Sequence, residues 1–131
     1  MLNLLNFQFQ ILLQEFDRQL AIFNLTGDAR RTPRGCLIWP GEVKGYSYAR
    51  FSFPGQQKRR YTRHTLIKVI SIGLFEVPEG LEGSHLCSNK LCLNPDHVVL
   101  ESHAINKERQ ECSNKGFCDP NFGHIPRCLL P

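Results

Sequence analysis

Cysteine and histidine crowd into the last third of this 131-residue chain, and their spacing restricts what it can fold around. Five of the six cysteines and four of the five histidines fall between Ser84 and Cys128. Cys87, Cys92 and His97 are each separated by four residues; Cys112, Cys118, His124 and Cys128 are separated by five, five and three. A structural zinc takes four thiolate or imidazole ligands in a tetrahedron. The second run is a complete set of four. The first lacks one ligand, and the chain has one cysteine left, Cys36. Two Cys3His sites then use every cysteine without remainder.

Three disulfides are the alternative for an even cysteine count. They are disfavoured because no secretory signal is visible: Met1 to Leu13 has no basic segment, and Asn3, Asn6, Gln8 and Gln10 interrupt its apolar run. An intracellular, reducing compartment is the expectation, the nucleus in a eukaryote, and thiolate–zinc prevails there over disulfide. Glu15, Asp17 and Arg18 come too early for a membrane span, so no membrane partner is expected.

The net charge of +4 is mild, but it is unevenly spread. Between Arg30 and Lys68 ten lysines or arginines face a single acid, Glu42, so this segment carries +9 and the rest of the chain −5. Tyr46, Tyr48, Phe51, Phe53 and Tyr61 are interleaved with these cations. Basic and aromatic residues together suit nucleic acid better than a merely solvated face.

The length predicts one domain, residues 1–131, of α+β class. Its parts are an N-terminal amphipathic helix (1–28), a DNA-binding sheet and helix (36–75) and a zinc-bound core (83–128). Leu2, Leu5, Phe9, Leu12, Phe16, Leu20 and Phe23 recur at steps of three and four, which predicts a helix over Met1 to Leu25 packed on the core or on a second copy. Arg30 to Arg34 reads as a basic loop and Cys36 to Trp39 as a short strand. Lys44 to Phe53 has strand character. Tyr46, Tyr48, Arg50 and Ser52 would share one face, and Ala49, Phe51 and Phe53 the other. The first face, with the following Lys58, Arg60 and Arg63, is the candidate DNA surface, since a two-stranded ribbon can enter the major groove. Thr65 to Phe75 reads as a helix with Leu66, Val69, Ile70 and Leu74 on its apolar side, and Glu101 to Glu111 as another.

Two polar residues of the cysteine-rich stretch belong to neither ligand set. His85 stands two residues before Cys87, and Asn106 nine residues after His97. Each alone reads most simply as a capping or solvated residue. With their surroundings they resemble something specific. Ser84-His85-Leu86-Cys87, Cys92, Asn94-Pro95, His97, Glu101-Ser102, Asn106-Lys107 and the Cys112 to Cys128 set are similar to the His-Cys box homing endonucleases of the ββα-metal (His-Me finger) nucleases. The resemblance is dense over Gly83 to Cys128, weaker over Cys36 to Ile70 and absent from the N-terminal third.

That resemblance implies a small antiparallel sheet with a ββα-metal motif and two structural zincs. It implies that His85 is the general base and that Asn106 binds a catalytic Mg2+, for which Mn2+ could substitute. It also implies an arginine that clamps the phosphate, aligned with Arg59 and rivalled by Arg60 and Arg63, and a homodimer on double-stranded DNA. The expected function is sequence-specific hydrolysis of double-stranded DNA. The alternatives are a non-catalytic zinc-stabilised DNA-binding module and a zinc-stabilised protein-interaction domain. The first of these leaves His85 and Asn106 without purpose, and the second leaves the +9 segment unexplained.

Overall fold

The computed structural model describes residues 30–39, 48, 50–52, 60–74 and 76–130, together with Gln14, which is helical and exposed. The rest of the expected N-terminal helix lies outside the described residues. Among the described residues from Arg30 onward, six short strands and two helices follow one another: β1 (Arg30–Arg31), β2 (Leu37–Ile38), β3 (Arg50–Ser52), β4 (Arg60–Thr62), α1 (Arg63–Ser71), β5 (Glu82–His85), β6 (Val98–Glu101) and α2 (His103–Lys115). A single 3-10 turn, Pro95–His97, precedes β6. The strands pair antiparallel in three two-stranded ladders, β1 with β2, β3 with β4 and β5 with β6. The class is the expected α+β one.

The start of the basic segment differs from the sequence reading. Arg30 and Arg31 are a strand and not part of a loop; they pair with Ile38 and Leu37 across a turn at Thr32 to Gly35. Gly35 has φ +85°, the left-handed geometry that glycine adopts without steric cost. Beyond it, β2 reaches across the chain. Leu93 N–H donates to Leu37 O at 2.7 Å and Trp39 N–H to Leu91 O at 2.9 Å, with a bridge between Ile38 and Cys92. Cys36 is thereby held against the box more than fifty residues away in sequence.

The helix α1 starts at Arg63, two residues earlier than expected, and ends at Ser71. Leu66 and Val69 are fully buried. With Leu37, Ile67 and Leu93 they make the main apolar cluster, flanked by Trp39, Tyr61, Ile70, Val77 and Leu100. Leu74 is not on the apolar side: the helix has stopped, Gly73 turns with φ +75°, and Leu74 is exposed.

The strand β5 runs between the two helices. Gly83 lies so close to α1 that an added Cβ would stand 2.4 Å from Thr65 Oγ1. Its N–H donates to that oxygen at 3.2 Å, and its carbonyl accepts from His64 Nε2 at 2.9 Å. On the partner strand, Glu101 belongs to β6 and not to the helix that sequence alone assigned it to, and it sits opposite Glu82. Ser102 ends the strand: its Oγ accepts from Ile105 N–H at 3.3 Å and caps α2. The far end of α2 also runs further than expected, to Lys115, where Gly116 closes it at φ +83°.

Candidate metal centres and catalytic cleft

The two ligand sets are brought together as the spacing predicts. In each set the four ligand atoms lie within 4.8 Å of one another, one set being Cys36, Cys87, Cys92 and His97, the other Cys112, Cys118, His124 and Cys128. All are buried except Cys87, which is half-buried. All six cysteines are free thiols rather than disulfides.

In the first centre, His97 Nδ1 is 3.6 Å from Cys36 Sγ and 3.5 Å from Cys92 Sγ. In the second, His124 Nδ1 is 3.8, 3.9 and 3.7 Å from the sulfurs of Cys112, Cys118 and Cys128. Zn–S bonds of about 2.3 Å and Zn–N bonds of about 2.0–2.1 Å give a tetrahedral S···N edge of about 3.6 Å. Both sets therefore fit a zinc-sized tetrahedron.

The donor chemistry fits as well. A hydrogen bond to Cys92 and partial burial push the pKa of Cys87 up, while that hydrogen bond pulls Cys92 down to about 4. Burial pushes Cys128 up to about 11; Cys118, although burial opposes it, is drawn down to about 7 by the Cys128 N–H and His124. Three sulfurs this close cannot all carry charge unless a divalent cation shares them. Backbone donors complete the picture: Asp119 N–H points at Cys112 Sγ and Cys128 N–H at Cys118 Sγ, both at 3.3 Å. Behind His124, Glu108 Oε1 meets Nε2 at 3.1 Å, a carboxylate that holds the ring with Nδ1 toward the sulfurs.

Local structure explains why each ligand arrives. Leu86 N–H donates to His97 O at 2.7 Å, extending the β5–β6 pairing and setting Cys87 beside His97. Asn94 caps the 3-10 turn that carries His97, and its amide donates to Gly35 O at 2.8 Å. In the second centre, the left-handed Gly116 reverses the chain, so that Cys118 returns to Cys112. Leu129 N–H then donates to Leu86 O at 2.7 Å, tying this loop to the end of β5.

His85 and Asn106 line one cleft of about 320 Å3, with Tyr48, Ser88, Lys90, Arg109 and Gln110. His85 Nε2 is 2.9 Å from Cys92 O. A carbonyl only accepts, so Nε2 carries the proton and Nδ1 keeps its lone pair. Tyr48 stacks on the His85 ring at 5.8 Å and 11°, and His64 packs against it at 3.9 Å. Burial lowers the pKa of His85, so the ring stays neutral near pH 7. Burial and the neighbouring His85 hold His64 down to about 3.

Asn106 donates its amide to Glu82 Oε1 at 2.6 Å, and among the described residues its Oδ1 accepts no hydrogen bond. One turn further along α2, Arg109 forms a buried bidentate pair with Glu101, with Nη2–Oε1 at 3.0 Å, and reaches Cys128 Sγ at 3.5 Å. It joins the second metal centre to β6 beneath the cleft.

The candidate DNA-facing residues are less completely seen. Tyr46, Lys58 and Arg59 lie outside the described residues. Arg50 and Arg60 stand on the β3–β4 ribbon, opposite Thr62 and Ser52. Arg63 is half-buried at the head of α1, its guanidinium 4.1 Å from the centre of the Trp39 ring. Tyr48 stands in the cleft beside His85.

Sequence reasoning missed His64, Glu82 and Glu108, and considered Arg109 only as a phosphate contact, not as the partner of Glu101. His64 was the one histidine outside the cluster, and nothing in its neighbourhood signalled a contact with His85. The i, i+3 spacing of Asn106 and Arg109 on a helix could have signalled a shared face.

Among the described residues no helix is long and apolar enough to cross a membrane. No curated protein and no solved structure matches the chain. The sequence model of one family, described as the zinc-binding loop region of homing endonuclease, matches residues 34–131, the span that carries both four-ligand clusters and the residues that line the cleft. The chain belongs to that family.

Proposed function

We propose that the protein is a Mg2+-dependent, sequence-specific endonuclease of double-stranded DNA. The observation that carries this is the pairing of His85 and Asn106. Neither belongs to a metal cluster, both line one polar cleft, and each has one end of its side chain fixed by the fold. A binding module needs no such arrangement.

His85 is the general base. Its Nδ1 takes a proton from the attacking water, while Nε2–H remains on Cys92 O and stabilises the imidazolium that forms. Cys92 is itself a ligand of the first centre, so that carbonyl is held in place. Tyr48 and His64 pack around the ring and restrict its rotation. Asn106 Oδ1 is the protein ligand for Mg2+, a neutral oxygen of the kind that hard cations accept. When bound beside the DNA phosphate, this ion supplies stabilisation for charge on the leaving oxygen.

Each Cys3His set supplies four ligands and so leaves no open position, which assigns the zincs to folding rather than to chemistry. The β3–β4 ribbon with Arg50 and Arg60 is the proposed reader of the major groove, and Arg59 the proposed phosphate clamp.

The test is cleavage of a randomised DNA library in Mg2+, with the ends sequenced, by the wild type and by His85→Ala and Asn106→Ala. We expect the wild type to cut at a restricted set of sites. Each variant should lose at least about a hundredfold in rate while zinc content and DNA affinity are kept. A His85→Ala protein that holds two zincs and cuts at the wild-type rate refutes the mechanism. A wild type that binds DNA but never cuts it returns the protein to the non-catalytic reading.

A further inference from the structure

We propose that Glu82 is a positioning residue: its carboxylate fixes the side-chain amide of Asn106 so that the oxygen, not the nitrogen, faces the cleft. This rests on the reading of Asn106 as the Mg2+ ligand.

The two ends of an asparagine side chain are nearly equal in size and opposite in chemistry. The oxygen can ligate a hard cation, and the NH2 repels one. An asparagine without a partner is free to present either. Here Asn106 Nδ2 lies 2.6 Å from Glu82 Oε1. An ionised carboxylate only accepts, so this contact admits the NH2 and rejects the carbonyl. Half a turn of the side chain would set two oxygens against each other at that distance.

Glu82 is itself held. It stands on β5 opposite Glu101, a placement that sets two carboxylates side by side. Arg109 takes up Glu101 in its buried pair, which leaves Glu82 for Asn106 and for His103 Nδ1, 2.9 Å from the same Oε1. Asn106, His103 and Arg109 all come from α2, so the pairing of β5 with β6 and the docking of α2 together determine the orientation of one amide.

Because the device is a matter of donor and acceptor rather than size, it has a signature that mere support lacks. Glu82→Gln keeps the shape but offers an oxygen and an NH2, so it accepts from Asn106 in one orientation and donates to it in the other, and the amide of Asn106 loses its single orientation. Glu82→Ala removes the partner altogether. Both variants should therefore weaken Mg2+ binding. In the double variant Asn106→Asp with Glu82→Gln, the new amide donates to one aspartate oxygen and leaves the other for the cation, which loss of mere support would not restore.

The experiment measures the Mg2+ concentration for half-maximal cleavage, zinc content, and the side-chain amide NMR signals of Asn106 in metal-free buffer apart from bound zinc. We expect the Mg2+ midpoint to rise severalfold in both Glu82→Gln and Glu82→Ala. We expect the double variant to recover most of that loss. In the wild type one Asn106 amide proton should be strongly deshielded, and both variants should lose that shift. A wild-type midpoint in both single variants, a double variant no better than Glu82→Gln, or an unmoved Asn106 signal overturns the proposal. If Glu82→Gln fails to hold two zincs, the Asn106 signal in Glu82→Ala decides alone. Asn106→Ala separates this result from the underlying reading: if it cuts normally, the assignment of Asn106 fails, whatever Glu82 does.

Discussion

The sharpest consequence of the fold concerns Gly83, where β5 rests on α1. An alanine here would place its Cβ 2.4 Å from Thr65 Oγ1, 3.0 Å from His64 Cδ2 and 3.1 Å from Thr65 Cα. Ordinary contact begins at 3.4 Å, so the strand must retreat by about 1 Å. The neighbour cannot yield instead. Thr65 is β-branched, its hydroxyl is bonded to Thr62 Oγ1, and one of the close atoms is backbone. Overpacking costs about 1–3 kcal/mol. The retreat also weakens the two hydrogen bonds of Gly83, to Thr65 Oγ1 and from His64, each contributing about 0.5–1.5 kcal/mol. The sum for Gly83→Ala is about 2–6 kcal/mol. With a urea dependence of about 1–3 kcal/mol per molar, the unfolding midpoint should fall by about 1 M or more in zinc-buffered solution. His85, the proposed base, is two residues further along the same strand, and a displacement of about 1 Å at a catalytic group can cost about a hundredfold in rate. A midpoint within about 0.3 M of wild type would refute the close approach of strand and helix.

Ser84, on the same strand, is the matched opposite: among the described residues its buried Oγ has no hydrogen-bond partner, so Ser84→Ala should be neutral or stabilising in the same urea titration. Metal analysis should find two zincs per chain, and Cys36→Ser should lower the unfolding midpoint of the whole domain, because it breaks the centre that ties β2 to the box. Arg109→Ala should cost about 3–5 kcal/mol, since it leaves Glu101 buried without its counter-charge. It should also weaken retention of the second zinc in a chelator competition, through loss of the contact with Cys128. DNA affinity should fall steeply between low and moderate salt, and Arg50→Ala should change sequence preference in a binding selection; affinity indifferent to salt would count against the basic ribbon.

Much of the metal chemistry was legible in the chain. Ligand type and spacing are local properties, and a tetrahedron needs four ligands, so the incomplete first set pointed to Cys36. The period of the apolar residues found α1, and the family resemblance marked α2, yet their ends were misjudged. Glu101 continues the helical pattern as readily as it continues β6, and only Ser102 as a cap and the pairing with Glu82 decide between them. Leu74 fits the apolar stripe of α1, but Gly73 turns the chain before the stripe can reach it.

The sequence by itself determined the ligands, the α+β class and the candidacy of His85 and Asn106, because these rest on residue identity and short spacing. Only the tertiary structure decided what those two residues can do. The Cys92 carbonyl selects the tautomer of His85, and Glu82 selects the orientation of Asn106. His64, from a helix nineteen residues before Gly83, holds the strand that bears His85. These are contacts between groups distant in sequence, each set by how strand and helix dock. A donor must meet an acceptor in space, and nothing in a linear order of residues states where that meeting falls.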